Sequence, residues 1–553
     1  MDIDSINKNT NIASYLVREA TERPHELAVV APYKTDEMGR TAYIHLTSGQ
    51  LNDESDHIAN GLESIGITKN VKTALLVKPS PAFFALVFAL FKVGAVIVMI
   101  DSGMGLKSMG KCLKEAEPEA FIGIPIAHVA RIFCGWGKKT IKHIVTVGKR
   151  WFWGGHTLSD LRKIGCQTED YDMAVPNDDD MAAILFTSGS TGVPKGAVYT
   201  HSIFNNQVEY LKTVYNIQPG EMDLSTFPLF ALFGPALGMT SVIPDMNPMK
   251  PATADPKKLV SAIEDFGTTN IFANPTIVNI LGRYAESENI MFPSVKRIIS
   301  AGAPARPDAL ERLQNALLDG VEIFTPYGAT EALPLCNIGS IEILKNARYK
   351  TEHGLGTCIG FPNKGINLKV IKITDEKIEK WTDDLELPDG EMGEIVVSAD
   401  IVTKEYYNLP EQTALAKIYD GKTVIHRMGD IGYKDKEGKF WFCGRKSHRV
   451  KTKDGDMFTV CCEGVFNVHP EVFRTALVGV QDGEYQKPVL CVEKEKNSKI
   501  KDNVLIDELR EIAKKFDHTK NIEKFLIHPK FPVDVRHNAK IFREKLAVWA
   551  IGK

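Results

Sequence analysis

A chain of 553 residues, 44% of them hydrophobic, is too long for one ordinary domain and has material for more than one core. Its 67 Lys and Arg against 70 Asp and Glu leave a net charge of −3, which excludes a strong global field for recruiting nucleic acid or anionic lipid. Nine cysteines without zinc-ligand or disulfide-framework spacing fit a reducing cytoplasm, and the opening MDIDSINKNTNIASYL lacks the basic and apolar regions of a secretion signal.

The first strand expected is TALLV at 73–77. PAFFALVFALFKVGAVIVMI at 81–100 then approaches the ~20 residues that span hydrocarbon. Lys92 and Gly94 divide this run, so it reads as a buried helix ending near Lys92 and a buried strand, VIVMID, feeding a turn at 101–105. AAILF reads as a further buried strand, TSGSTGVPKG as a loop, AVYTH as a strand and SIFNNQVEYLKTVY as a helix. NIFANP and RIISAG continue the alternation, which predicts α/β layers with largely parallel sheets and a doubly wound core up to about residue 440. After the hairpin-like KDKEGKFWFCGRK, a smaller charge-rich α+β region holds strands VLCVEK and KFLIHP and helices VLIDELREIAKKF and IFREKLAVWAI. The expected division is a large domain at 1–445 and a small mobile lid at 446–553.

The loop TSGSTGVPKGA at 187–197 carries the most chemistry. Gly189 and Gly192 let backbone N–H groups approach an anion, Thr187, Ser188, Ser190 and Thr191 add hydroxyls, and Lys195 adds a cation. A Walker loop would place Ser or Thr after the Lys and open a helix, whereas Lys195 lies between Pro194 and Gly196. The bland alternative is a turn-rich surface hairpin.

This loop resembles the signature of the adenylate-forming superfamily of acyl-CoA synthetases, firefly luciferase and peptide-synthetase adenylation domains. The resemblance spans nearly the whole chain and implies that a carboxylate and ATP, with Mg²⁺, give acyl-AMP and pyrophosphate. It implies an adenine-side segment at Gly302, Ala303 and Pro304. In TPYGATE it implies Tyr327 and Gly328 beside adenine, Thr330 on the α-phosphate and Glu331 on Mg²⁺, with Thr187 a further metal contact. Thr330 and Glu331 otherwise read as a helix cap. Asp430 matches the ribose-binding Asp, Arg445 the Arg before the interdomain hinge, and Lys540 the adenylation lysine of the lid; Lys540, Thr330 and Lys195 are the implied catalytic groups.

Two departures narrow the family: Ala231 stands where many relatives carry His, and Ser447 stands at a hinge position usually occupied by Asp or Lys. With the loop at 101–105 and the ending DVRHNAKIFREKLAVWA, these resemble the olefin-biosynthesis β-lactone synthetases. That likeness implies adenylation of a 2-alkyl-3-hydroxy fatty acid, attack by its own 3-hydroxyl, and neighbouring thiolase-like, reductase and β-lactone decarboxylase enzymes. The alternatives are a long-chain acyl-CoA synthetase, a fatty acyl-AMP ligase, or a non-catalytic nucleotide-binding protein. By family position, the acyl pocket would involve Phe230, Ala231, Phe233, Gly234, Asn274, Thr276 and Ile277, although these stretches equally suit plain core. His201 is a candidate lactonisation base, with a structural role the alternative.

Overall fold

A computed structural model describes residues 9–167, 171–188, 194–533 and 541–553. The first sheet runs His156–Thr157, His143–Thr146, Ala120–Gly123, Lys72–Leu76, Val96–Ile100, Met181–Ser188, Pro194–Thr200, with only the last pair antiparallel. The second runs Glu322–Phe324, Arg297–Ser300, Asn270–Ala273, Met222–Ser225, Thr240–Val242, Leu27–Thr35, Thr41–Thr47, again with one antiparallel edge pair. These two sheets match the expected α/β layers.

The helix Pro81–Lys92 belongs to a core cluster that includes residues of both sheets, among them Val29, Ile97, Ala120 and Ile299. Burial on every side explains its uniform hydrophobicity. Its last residue, Lys92, is buried with its ammonium 2.6 Å from Asp56 Oδ1 and 2.8 Å from Asn52 Oδ1. Among the described residues no helix is long and apolar enough to cross a membrane.

The third sheet departs from the expectation of largely parallel strands. Tyr327–Ala329, Ala332–Asn337, Thr357–Pro362, Phe440–Arg445, Thr423–Lys434, Gly393–Ser398 and Asn367–Ile371 pair antiparallel throughout. Strands such as GEIVVS are buried along nearly their whole length. Their continuous apolar run resembles that of a parallel strand, which periodicity alone does not separate from an antiparallel one.

Beyond Arg445 a hairpin, Val450–Thr452 with Gly455–Met457, leads to a small sheet of Val472–Asp482, Tyr485–Lys494 and Lys524–Ile527 with helices Asp502–Ala513 and Arg543–Ile551. This segment meets the preceding chain through Arg306, which donates to the Phe473 carbonyl at 2.6 Å, and through Asp375, paired with Arg449 at 2.7 Å and Lys451 at 3.0 Å.

Candidate active site

The strand Met181–Ser188 and its partner Pro194–Thr200 flank the phosphate loop, with Thr187 opposite Lys195 and Ser188 opposite Pro194. Gly189, Ser190, Thr191 and Gly192 lie outside the described residues, as does Lys540. The second strand is stitched to the segment 405–407: Tyr407 N–H donates to the Gly196 carbonyl at 2.8 Å and Val198 N–H to that of Glu405 at 3.2 Å. This places the Tyr406 ring 4.9 Å from Lys195 Nζ, while the Tyr406 hydroxyl donates to Glu331 Oε1 at 2.6 Å. One tyrosine therefore joins the loop's cation to the expected metal carboxylate. Burial lowers the Lys195 pKa, opposed by the Glu331 charge.

Thr330 and Glu331 form the tight turn between Tyr327–Ala329 and Ala332–Asn337, so they do not cap a helix. A Cβ at Gly328 would come 2.7 Å from the Ala332 carbonyl oxygen, so this hairpin closes only around a glycine. The turn is held by donors that the sequence did not reveal. The Tyr199 hydroxyl donates to the Thr330 carbonyl, and Thr403 donates to the Glu331 carbonyl from its N–H at 2.9 Å and its hydroxyl at 3.2 Å. Behind Thr403, the buried Lys417 ammonium donates to its carbonyl and, at 3.3 Å, to its hydroxyl oxygen. Burial brings the Lys417 pKa down to about 7. A lysine within the apolar run ALAKIY was the one available signal for this clamp.

On the other side, the Tyr327 hydroxyl donates to Asp430 Oδ2 at 2.7 Å, and Arg445, directly opposite Asp430 in the sheet, brings Nη1 to 2.9 Å from Oδ1. Asp430 is buried and its Oδ1 has no aligned hydrogen bond among the described residues, leaving an acceptor beside the ion pair. Burial raises its pKa against the opposing pull of Arg445 and Tyr327. Gly302, at φ +96°, turns the chain after Arg297–Ser300, and Ala303 and Pro304 follow before the helix Pro307–Gln314.

The acyl-pocket candidates divide. Phe230 stacks on Phe272 with ring centroids 3.6 Å apart, and Phe233 lies 6.1 Å from Phe230. Ala231 and Ile277 are wholly buried in core clusters. A Cβ at Gly234 would meet Ser241 Oγ at 2.0 Å, and Asn274 caps the helix Pro275–Glu288, which also contains Thr276, by accepting from the Ile277 N–H at 3.0 Å. Ser447 lies in the single turn Lys446–His448. His201 is buried against Phe91 and accepts from the Ile12 N–H at 3.2 Å, and burial lowers its pKa to about 4. Those contacts belong to a structural histidine.

The model of the family described as AMP-binding enzyme matches residues 16–407. The chain belongs to that family. It is 46% identical over 547 residues to an olefin beta-lactone synthetase of Xanthomonas campestris pv. campestris, covering 98% of this chain and 97% of the relative. It is equally 46% identical over 553 residues to an olefin beta-lactone synthetase of Stenotrophomonas maltophilia, covering 99% of both. Among solved structures, the amide bond synthetase from Marinactinospora thermotolerans superposes with a TM-score of 0.78 at 18% identity, over 97% of this chain and 99% of that one, which shows the shared fold. The chain is an AMP-forming ligase that takes ATP as co-substrate and activates a carboxylate as acyl-AMP.

Proposed function

We propose that the protein converts a 2-alkyl-3-hydroxy fatty acid to a β-lactone in two steps on one site. A substrate carboxylate oxygen attacks the α-phosphorus of ATP and the bond to pyrophosphate breaks. The substrate's 3-hydroxyl then attacks the acyl carbonyl, its proton leaves, and AMP departs. The observation that carries the nucleotide part is the convergence of Lys195, Tyr406 and Glu331 with Tyr327, Asp430 and Arg445 in the third sheet and at its margin.

In this reading Asp430 Oδ1, beside the Arg445 guanidinium, accepts from a ribose hydroxyl, and Arg445 bridges sugar and phosphate oxygens. Thr330 contacts the α-phosphate, and Lys195 and Lys540 stabilise negative charge as it develops there. The Glu331 carboxylate is an oxygen donor suited to Mg²⁺, which when bound would neutralise phosphate charge. The aromatic group of Phe230, Phe233 and Phe272 receives alkyl chain. Residues 446–553 act as a lid turning near Ser447.

The lactone product rests on the 46% likeness to the two olefin beta-lactone synthetases and on Ala231 and Ser447. A tethered hydroxyl has an effective concentration of ~10⁵ M or more when well oriented, so no thiol acceptor is required. Thiolase-like, reductase and β-lactone decarboxylase enzymes are the partners this reading implies. The test is incubation with ATP, Mg²⁺ and a 2-alkyl-3-hydroxy acid without CoA, followed by NMR of the organic products. AMP with a β-lactone is expected; turnover that requires CoA and accepts simple fatty acids would assign the protein to the acyl-CoA synthetases instead.

A further inference from the structure

Four large apolar side chains are exposed on the helix and the loop that flank His143–Thr146 in the first sheet. On the helix Pro125–Phe133, Ile126 and Phe133 lie seven residues apart on one face and are 67% and 82% exposed. Beside that helix, the loop after His143–Thr146 presents Trp151 and Phe152, 53% and 73% exposed. The loop is fixed in place: Trp153 stacks on His128 of the helix at 5.1 Å and donates from Nε1 to Thr146 Oγ1 at 2.9 Å. Trp151 and Phe152 are therefore displayed by a folded support. Adjacent exposed aromatic rings on a fixed loop mark a contact with another phase or partner.

The charge beside these two rings selects the partner. Between Glu119 and Asp160 the sequence contains no acidic residue, yet it contains Arg131, Lys138, Lys139, Lys142, Lys149 and Arg150. Arg131 folds over the Phe121 ring, and Lys142 pairs with Glu119 at 3.2 Å. Lys138, Lys139 and Lys142 precede His143–Thr146 and so lie at the strand end opposite the Trp151 loop, whereas Lys149, which makes no ion pair among the described residues, and Arg150, which donates to the Gly155 carbonyl with Asp160 as its nearby acid, adjoin the rings. Lys149 and Arg150, adjacent in sequence to the exposed Trp151 and Phe152, match an anionic bilayer, whose headgroups attract the cations while the rings enter the interface.

We propose that this margin of the first sheet docks the enzyme on anionic lipid. The parallel strands give the site an orientation: the Trp151 loop and the Ser188 end of Met181–Ser188 leave the same edge of the sheet, so the docking loop and the nucleotide site open on a common side. Passage of apolar substrate from the bilayer would rest additionally on the function proposed above, whereas the docking itself rests on the surface alone.

The test is flotation of the full-length protein with phosphatidylcholine vesicles and with vesicles containing phosphatidylglycerol, at low and raised salt. Wild type is expected to float with the anionic vesicles, more weakly as salt rises, and to remain behind with phosphatidylcholine alone. W151S/F152S and K149E/R150E are each expected to lower the partition roughly tenfold or more. Pyrophosphate release on a water-soluble carboxylate should be unchanged in both variants, which separates failed docking from failed adenylation. Absence of wild-type flotation would overturn the proposal, and so would flotation that neither variant weakens. Concentration-dependent self-association in sedimentation velocity, lost in W151S/F152S without vesicle binding, would assign the surface to a second copy of the chain and overturn it as well.

Discussion

Three side chains make separable demands on the nucleotide site. Asp430→Ala removes the buried acceptor and is expected to weaken ATP binding first; an unaltered ATP dissociation constant by calorimetry would remove Asp430 from ribose recognition. Lys540→Ala is expected to slow acyl-AMP formation by roughly 10² to 10³, equivalent to ~2.7–4 kcal/mol for one transition-state donor, with ATP binding retained. Single-turnover kinetics distinguish the two outcomes. Tyr406→Phe keeps the ring beneath Lys195 but loses the 2.6 Å donor to Glu331, so the Mg²⁺ concentration for half-maximal rate is expected to shift more than the ATP requirement. Equal shifts in both would make Tyr406 a general packing residue.

The turn between Tyr327–Ala329 and Ala332–Asn337 shows what local sequence revealed and what it did not. TPYGATE was legible because resemblance supplied its chemistry, but its capping alternative was settled only by the surrounding strands. Tyr199 and Thr403 were hidden because each reaches the turn across a long sequence separation, which no spacing rule covers, and Lys417 acts on the turn only through Thr403. The first two sheets were visible as apolar runs alternating with amphipathic helices, whereas the third was misjudged because its strands are buried like parallel ones. The clamp has a pH signature. Lys417 has a folded pKa of about 7 against ~10.4 unfolded, so above pH 7 the unfolded chain binds the extra proton and stability rises with pH. Wild type is therefore expected to gain on Lys417→Met in urea unfolding between pH 7 and ~10. A constant difference across that window would show that Lys417 is not shifted.

At the scale of the whole molecule, the segment after Arg445 meets the rest through a buried cluster of Ile431, Cys443 and Cys461 and through polar contacts, Asp375 among them. Arg449 and Lys451 hold the Asp375 pKa down to about 2. Because a depressed carboxylate stabilises above its unfolded value of ~3.9 and loses that contribution as pH falls through its folded value, Asp375→Asn should differ from wild type at neutral pH. The difference should shrink between pH ~4 and pH 2, as read from thermal unfolding; the side chain is half exposed, so it will be small.

The helix Pro81–Lys92 carries a consequence for synthesis. The core cluster that encloses it also takes in Phe272 and Ile299, which follow nearly two hundred residues later. Until the ribosome has delivered that stretch, the cluster around a helix studded with phenylalanines is incomplete. Nascent chains stalled before Ile299 should therefore engage chaperones and aggregate on release, while those extended beyond it should not.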